Sequence, residues 1–123
     1  MRIAFLADIH GNLPAFEAAL DDLKHQHIDQ VIFVGDLVVG SPQSAACWRL
    51  AQSLGYPIVR GNHERYVGHF GTKYADPSWS SPQYGPVHWA VTQFSAAERQ
   101  SFMQLPFTLQ PDELPNLRVV HSS

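Results

Sequence analysis

The sequence has few charged residues and a single cysteine, and each shortage excludes a class of protein. Charged residues make up 15% of the 123 residues, and the formal net charge is -3 with no cluster of Lys or Arg. A surface that binds a nucleic acid duplex is therefore not expected. The lone Cys47 allows no intrachain disulfide framework, and we expect it to be a small buried hydrophobe.

Long apolar runs are also missing. No run approaches the ~20 residues needed to span a bilayer, and the first one ends at Asp8, too early for a signal-peptide core. These features predict a cytoplasmic protein with no membrane partner. Apolar residues still make up 45% of the chain, enough for the core of one domain.

In the first half of the chain, apolar runs alternate with segments of helical periodicity. Strands are predicted at residues 3–7, 31–34 and 57–59, and helices begin near Pro14 and at Ser41. The first run is continuous, which is typical of a strand buried on both faces. The β-α-β-α-β order predicts a parallel sheet with crossover helices, and ligands bind such sheets beyond the carboxyl ends of the strands.

The second half begins with a change of composition at residues 68–86, where Gly, Pro, Ser and aromatic residues dominate. A loop of this length is typical of a functional lid. The aromatic residues in and beside it are expected to form a satellite cluster of Phe70, Tyr74, Trp79, Tyr84 and Trp89. Ser95 and Glu98 then form a capping-box pattern that opens a helix to about Leu105. Strands follow at 107–109 and 117–120, and the second ends at His121.

Residues of the types that bind metal ions follow these predicted strands. Asp8 and His10 are two apart, so both side chains of an extended strand end point the same way and could hold one ion. Asp36 could bridge two ions, and Asn62 and His121 could hold the second. Each motif alone has an ordinary explanation as a cap or a turn. Their repetition at strand ends predicts a metal centre built by one sheet.

His63 and Glu64 complete the third motif, Gly-Asn-His-Glu. As a free imidazole, His63 could donate a proton to a leaving oxygen, and it is the predicted catalytic residue. Asn62 and His63 are also predicted to contact the substrate, and Glu64 could orient His63.

This constellation suits hydrolysis of phosphate esters by two divalent ions, with a metal-bound hydroxide as the nucleophile. The two carboxylates, Asp8 and Asp36, neutralise only part of the charge of two divalent cations. The remaining positive charge would attract a phosphate anion, so no basic surface is needed. Mixed nitrogen and oxygen ligands favour Mn, Fe, Zn, Co or Ni over calcium, and manganese is our first expectation.

The motifs Asp8-x-His10, Gly35-Asp36 and Gly61-Asn62-His63-Glu64, with His121, resemble those of the calcineurin-like metallophosphoesterase superfamily. The Asp-Ile-His-Gly-Asn form, and residues 89–95, resemble its small prokaryotic phosphodiesterases. The resemblance implies an α/β fold, the αββα sandwich of that superfamily. It also implies the roles of the motif residues. Asp8 and His10 bind the first metal, Asp36 bridges, Asn62 and His121 bind the second, and His63 assists at the phosphate.

The sequence also departs from that pattern. Val39 and Gly40 stand where protein serine/threonine phosphatases of the superfamily carry Asp and Arg, which disfavours a protein phosphatase. The resemblance further implies a closing Gly-His-x-His segment with one more histidine for each metal, and the 123 residues contain none. We therefore expect a metallophosphoesterase domain over residues 1–123 that is an N-terminal portion, incomplete at its C-terminus. Low activity, weakened metal affinity and self-association through an incomplete sheet would follow.

The leading hypothesis is a dimetal phosphodiesterase acting on a phosphate-ester small molecule, with nucleotides among the candidates. The alternative is a non-catalytic metal-binding or interaction module of the same fold. The metal, the physiological substrate and the oligomeric state stay open. A downstream Gly-His-x-His segment would favour the enzyme.

Overall fold

A computed structural model describes residues 1–122, and its centre is a short parallel sheet. Strand β1 (Ile3–Leu6) pairs in parallel with β2 (Gln30–Phe33). On the other side of β2, Ile58 forms a single parallel bridge to Phe33. The strand predicted at 57–59 is thus reduced to one bridge, and the predicted parallel arrangement is confirmed.

Two helices of the first half cross over between these strands. Helix α1 (Leu13–Leu23) begins at Asn12, whose side-chain Oδ1 accepts a hydrogen bond of 3.1 Å from the backbone N–H of Ala15. Helix α2 (Ser44–Leu54) ends at Gly55, whose φ of 72° is the left-handed cap that glycine adopts without strain. The predicted end of α2 is confirmed, and its start lies three residues beyond Ser41.

The second half is more helical than its sequence predicts. Helix α3 (Asn62–His69) and helix α4 (Gly85–Val91) include the two ends of the segment predicted as a lid. Between the helices lie two short 3-10 turns, at Pro77–Ser80 and Pro82–Tyr84. A proline at the start of each turn presets its backbone. The role of residues 68–86 as a lid stays a prediction.

The aromatic cluster of this region differs from the expected one. Tyr66 of α3 contacts Trp79 and Tyr84, with ring centroids 4.9 and 5.8 Å away. Tyr74 and Trp89, which were expected in the cluster, are 64% and 47% exposed. Their side chains lie outside the cluster, which forms around Tyr66 instead.

The chain closes with helix α5 (Ala96–Gln104) and an antiparallel pair, β3 (Thr108–Leu109) and β4 (Val119–Val120). The capping box at Ser95 and Glu98 is present as predicted. Strand β4 contributes Val119 to a small buried cluster. The larger core combines β2 and the loop after it with α2 and α4, and its large side chains include Phe16, Phe33, Trp48 and Phe102.

Strand β1 is the exception to the predicted burial. Phe5 is 50% exposed, whereas Ile32 and Phe33 of β2 are 1% and 0% exposed. Among residues 1–122, β1 pairs with β2 alone, so its other edge is unpaired, and Phe5 stays half-exposed. The expectation of a strand buried on both faces is therefore wrong for β1.

Two further expectations concern single features. Cys47 is fully buried in α2, and burial raises the pKa of its thiol to about 11. None of the helices within residues 1–122 combines the length and the apolar character that a bilayer span requires.

An ion pair joins α2 to α5, and its contribution should depend on pH. Arg49 donates two hydrogen bonds to Glu98, of 3.1 and 3.0 Å, which lowers the pKa of the Glu98 carboxyl from its ordinary 4.5. This stabilisation is present above pH 4.5 and is lost as the pH falls through the lower pKa of the folded state.

Glu98→Gln should reduce the free energy of unfolding by about 1 kcal/mol at pH 7. Urea unfolding at pH 7 and pH 3 checks this, and an undiminished difference at pH 3 would contradict it.

Candidate metal centre

The loops that follow β1 and β2 are held together by backbone hydrogen bonds. The N–H of Asp8 donates to the carbonyl of Gly35 at 3.1 Å, and the N–H of His10 donates to the carbonyl of Asp36 at 2.9 Å. The parallel pairing thus continues beyond the strands, and it brings the first two motifs side by side at the carboxyl edge of the sheet.

Backbone strain is concentrated in the same loops. Asp8, His10, Asp36 and Val39 have φ values of 59°, 50°, 56° and 71°, in the left-handed region that non-glycine residues seldom adopt. Such conformations cost on the order of 1–3 kcal/mol each and cluster at functional sites. Three of these four residues are predicted metal ligands.

The His10 ring is fixed by a backbone carbonyl. Its Nδ1 lies 2.9 Å from the carbonyl oxygen of Val39, which can only accept, so Nδ1 carries the proton and donates it. In the neutral ring, Nε2 then presents a lone pair. That atom lies 3.4 Å from Oδ1 of Asp8 and 3.8 Å from Oδ2 of Asp36, both of which are acceptors.

His121 repeats this arrangement from the other side. Its Nδ1 lies 2.7 Å from the carbonyl oxygen of Val34, so Nδ1 is again the donor. Its Nε2 lies 3.1 Å from Oδ1 of Asn62 and 3.4 Å from Oδ2 of Asp36. In metal-binding histidines, the ring nitrogen that does not face the metal typically donates its N–H to a carbonyl, which orients the ring.

Asp36 occupies the centre of the site. Two groups of side chains, each with ligand atoms within 4.8 Å of one another, could hold an ion: His10, Asp36 and His63, and Asp8, Asp36 and His121. Asp36 belongs to both. Burial alone would raise its carboxyl pKa, but contacts with His63 and the charges of His63 and His121 outweigh burial, and the net pKa is lowered.

His63 lies closer to Asp36 than the sequence indicated. Its backbone N–H donates to Oδ1 of Asp36 at 3.0 Å, and its ring Nδ1 lies 2.9 Å from Oδ2. The ring contact lacks hydrogen-bond geometry, so this buried nitrogen has no hydrogen-bond partner among residues 1–122. Burial lowers the pKa of His63, but the Asp36 carboxylate raises it more, and the net pKa is above the usual value.

Glu64 does not orient His63, which corrects the role expected from the sequence. Its carboxylate is fully buried and accepts hydrogen bonds from four backbone N–H groups, those of Asp36, Leu37, Val38 and Gly61. Burial and the Asp36 charge raise the pKa of Glu64 to about 7, and the backbone hydrogen bonds oppose that rise. Glu64 therefore shapes the Asp36 loop and ties it to α3.

Two glycines allow these loops to touch. A Cβ on Gly35 would lie 2.7 Å from the Cα of Gly61 and 2.7 Å from Nδ1 of His121. A Cβ on Gly61 would overlap the backbone N and the side-chain Oδ1 of Asp36. Gly35 and Gly61, which precede Asp36 and Asn62, are thus required because the two loops approach each other closely.

The structure brings all six predicted site residues together: Asp8, His10, Asp36, Asn62, His63 and His121. The unprotonated Nε2 atoms of His10 and His121 face Oδ2 of Asp36 at 3.8 and 3.4 Å with no proton between them, and a cation there would resolve that conflict. The residues present therefore fit a divalent ion. Sequence reasoning missed the orienting carbonyls of Val34 and Val39, because backbone acceptors leave no residue-specific signal.

Comparison with known proteins agrees with this geometry. The family model for calcineurin-like phosphoesterases matches residues 1–109. A crystal structure of a metallophosphoesterase from Sphaerobacter thermophilus matches 90% of the chain at 28% identity with a TM-score of 0.69. A second solved structure, described as a "putative diadenosine tetraphosphatase", matches 99% of the chain at 25% identity with a TM-score of 0.74.

A curated relative, an uncharacterized protein of Methanocaldococcus jannaschii, is 37% identical over 62 residues, which are 50% of this chain. The chain spans 26% of that protein's length, and 43% and 50% of the two structures. The fold, the order of the motifs and the matched range lead to one conclusion: the chain belongs to the calcineurin-like phosphoesterase family.

Proposed function

We propose that the chain forms the metal-binding part of a phosphoesterase that hydrolyses phosphate diesters with two divalent ions. The observation that carries this proposal is the sharing of Asp36 between two groups of potential ligands. A carboxylate with two oxygens can contact two ions at once, which is the arrangement of two-metal hydrolases. Family membership supports the same chemistry.

In this proposal the expected ligand assignment is kept. Asp8 and His10 would hold one ion, Asn62 and His121 would hold the other, and Asp36 would contact both. The 3.4 Å between Nε2 of His10 and Oδ1 of Asp8, and the 3.1 Å between Nε2 of His121 and Oδ1 of Asn62, support these pairs, although the two groups defined by distance combine His10 with His63 and Asp8 with His121. Bound divalent ions supply charge neutralisation and an activated water to such a reaction, and manganese is the first ion to test. The fixed rings of His10 and His121 support these roles, because each keeps the lone pair of its Nε2 free for an ion beside the carboxylates.

His63 is proposed to act on the substrate. Its imidazole is partly exposed, and the Asp36 carboxylate favours its protonated form, as a proton donor to a leaving oxygen requires. Asn62 is proposed to contact the phosphate as well. One solved relative is described as a tetraphosphatase of a dinucleotide, which supports a nucleotide among the substrates to be tested.

Two further proposals concern the surroundings of the enzyme. The lone cysteine supports a cytoplasmic location, because small secreted domains commonly rely on several disulfides. The half-exposed Phe5 on the outer side of β1 supports self-association through that strand. Sedimentation of the chain at several concentrations tests the second proposal.

The basic test joins metal analysis to hydrolysis. The purified chain should bind manganese, and it should hydrolyse bis(p-nitrophenyl) phosphate only when manganese is added. p-Nitrophenyl phosphate serves as the monoester comparison. Metal binding without hydrolysis of either ester would favour the alternative of a non-catalytic metal-binding module.

His63→Ala should separate catalysis from metal binding. We expect the turnover number to fall by about 10²–10⁴-fold, because a proton donor is lost, while the metal content is retained. Metal analysis and diester hydrolysis on the same preparation measure both. The matched control is His69→Ala, at the end of the same helix. Loss of metal from His63→Ala would show that His63 is a ligand, as its place beside His10 and Asp36 also allows.

A further inference from the structure

A cavity of about 320 Å³ adjoins the candidate metal centre on the side of Asn62 and His121. Both predicted ligands of the second ion contribute to its wall, so a group bound there would lie directly beside the reacting phosphate. The remaining wall is unusual for this acidic chain, because it contains two arginines and no carboxylate. Its principal lining residues are Arg60, Gly61, Asn62, Arg65, Phe107 and His121.

Arg60 is held at the cavity by its backbone. Its N–H donates to the carbonyl of Pro106 at 2.9 Å, and the next residue is Gly61 of the site. Its side chain is half-buried, and its hydrogen bond to the carbonyl of Met103 is 3.5 Å long. Among residues 1–122, no carboxylate oxygen lies within 4.0 Å of its guanidinium. A partly desolvated cation without an acidic partner favours an anionic ligand.

Arg65 joins the same wall from α3. It lies one turn after Gly61, and its guanidinium carbon is 5.5 Å from the ring centroid of Tyr66 and 5.4 Å from that of Trp79. These aromatic contacts restrict an exposed side chain. Hydrogen bonds from Ser78 and, more weakly, the Arg65 charge lower the pKa of the Asp76 carboxyl, so Arg65 is the weaker of the two anion-binding candidates. Within the described part of the chain, Arg65 likewise lacks a carboxylate within 4.0 Å.

We propose that this cavity binds a second phosphoryl group of the substrate, next to the one that is cleaved. The proposal rests on the proposed function and deepens it. The metal ions would neutralise the reacting phosphate, which leaves the two guanidinium groups for a neighbouring anion. Arginine forks match phosphate oxygens in charge and geometry. The substrate class is then a phosphoric anhydride or polyphosphate ester, rather than an isolated diester.

The test compares two inorganic inhibitors of bis(p-nitrophenyl) phosphate hydrolysis at a fixed concentration of free manganese. In the unmodified chain, pyrophosphate should inhibit more strongly than orthophosphate. Arg60→Gln should reduce that preference about 10-fold, since charge-assisted hydrogen bonds are lost, and Arg65→Gln should reduce it less. Arg2→Gln removes the same charge at the opposite end of β1 and should leave the preference unchanged. A preference that survives in the double variant of Arg60 and Arg65 overturns the proposal.

A second measurement keeps the proposal independent of catalysis. Calorimetry of the metal-free chain with pyrophosphate reads the cavity directly, and Arg60→Gln should weaken this binding at least about 5-fold. If the unmodified chain shows no hydrolysis, the proposed function fails while this binding still tests the cavity. Absent binding, or equal binding by both proteins, overturns the second-phosphate proposal.

Discussion

Asp36→Asn should remove bound metal and hydrolysis together. The substitution keeps the shape of the side chain, and asparagine tolerates the φ of 56° at this position, so the loop should be preserved. What is lost is one negative charge from the side chain shared by both ligand groups. We expect metal affinity to fall by at least roughly 100-fold, because even residues that only orient ligands contribute about 10–100-fold.

Metal titration by calorimetry and diester hydrolysis measure this effect, and circular dichroism verifies the fold. Asp112→Asn is the matched control, since it removes the same charge from an exposed side chain outside the site. An Asp36→Asn protein that retains both ions at full stoichiometry would show that Asp36 does not bridge them.

Glu64→Gln should strongly destabilise the whole domain. The carboxylate accepts four backbone hydrogen bonds at zero exposure, and an amide offers one acceptor oxygen and an NH₂ group that would face other donors. Buried N–H groups left without acceptors cost about 1–3 kcal/mol each. We expect a loss of about 3–5 kcal/mol in the free energy of unfolding, a large part of the roughly 5–15 kcal/mol of a typical domain.

Urea unfolding measures this loss. Glu17→Gln is the control, because it makes the same change on the exposed surface of α1. The protein that remains folded should also bind metal more weakly, since Glu64 shapes the loop that carries Asp36. A loss below about 1 kcal/mol would mean that Glu64 does not hold the two loops together.

The position of the site could be predicted from the sequence because its signals are local. Asp8 and Asp36 each come directly after an apolar run, and parallel strands bring their carboxyl ends to one edge. Asn12 and Gly55 marked a helix start and a helix end for the same reason. In each case, neighbours in the chain decide the conformation.

Other features depend on partners far away in the sequence, and those could not be predicted. Phe5 belongs to an apolar run, but its exposure depends on which strands flank β1. Asn62 was interpreted as a ligand, and the alternative of a helix start at this motif holds as well, because α3 begins at Asn62 and the Gly61 N–H donates to the Glu64 carboxylate. Glu64 was paired with its neighbour His63, whereas most of its actual donors lie 26 to 28 residues earlier.

That separation has a consequence for the order of events during synthesis. The Asp36 loop leaves the ribosome before the carboxylate that shapes it has been made. At about 5–20 residues per second, the nascent chain waits on the order of seconds for Glu64. Until then only solvent can accept hydrogen bonds from the N–H groups of the loop, so the growing chain cannot complete its candidate ion-binding pocket before α3 emerges.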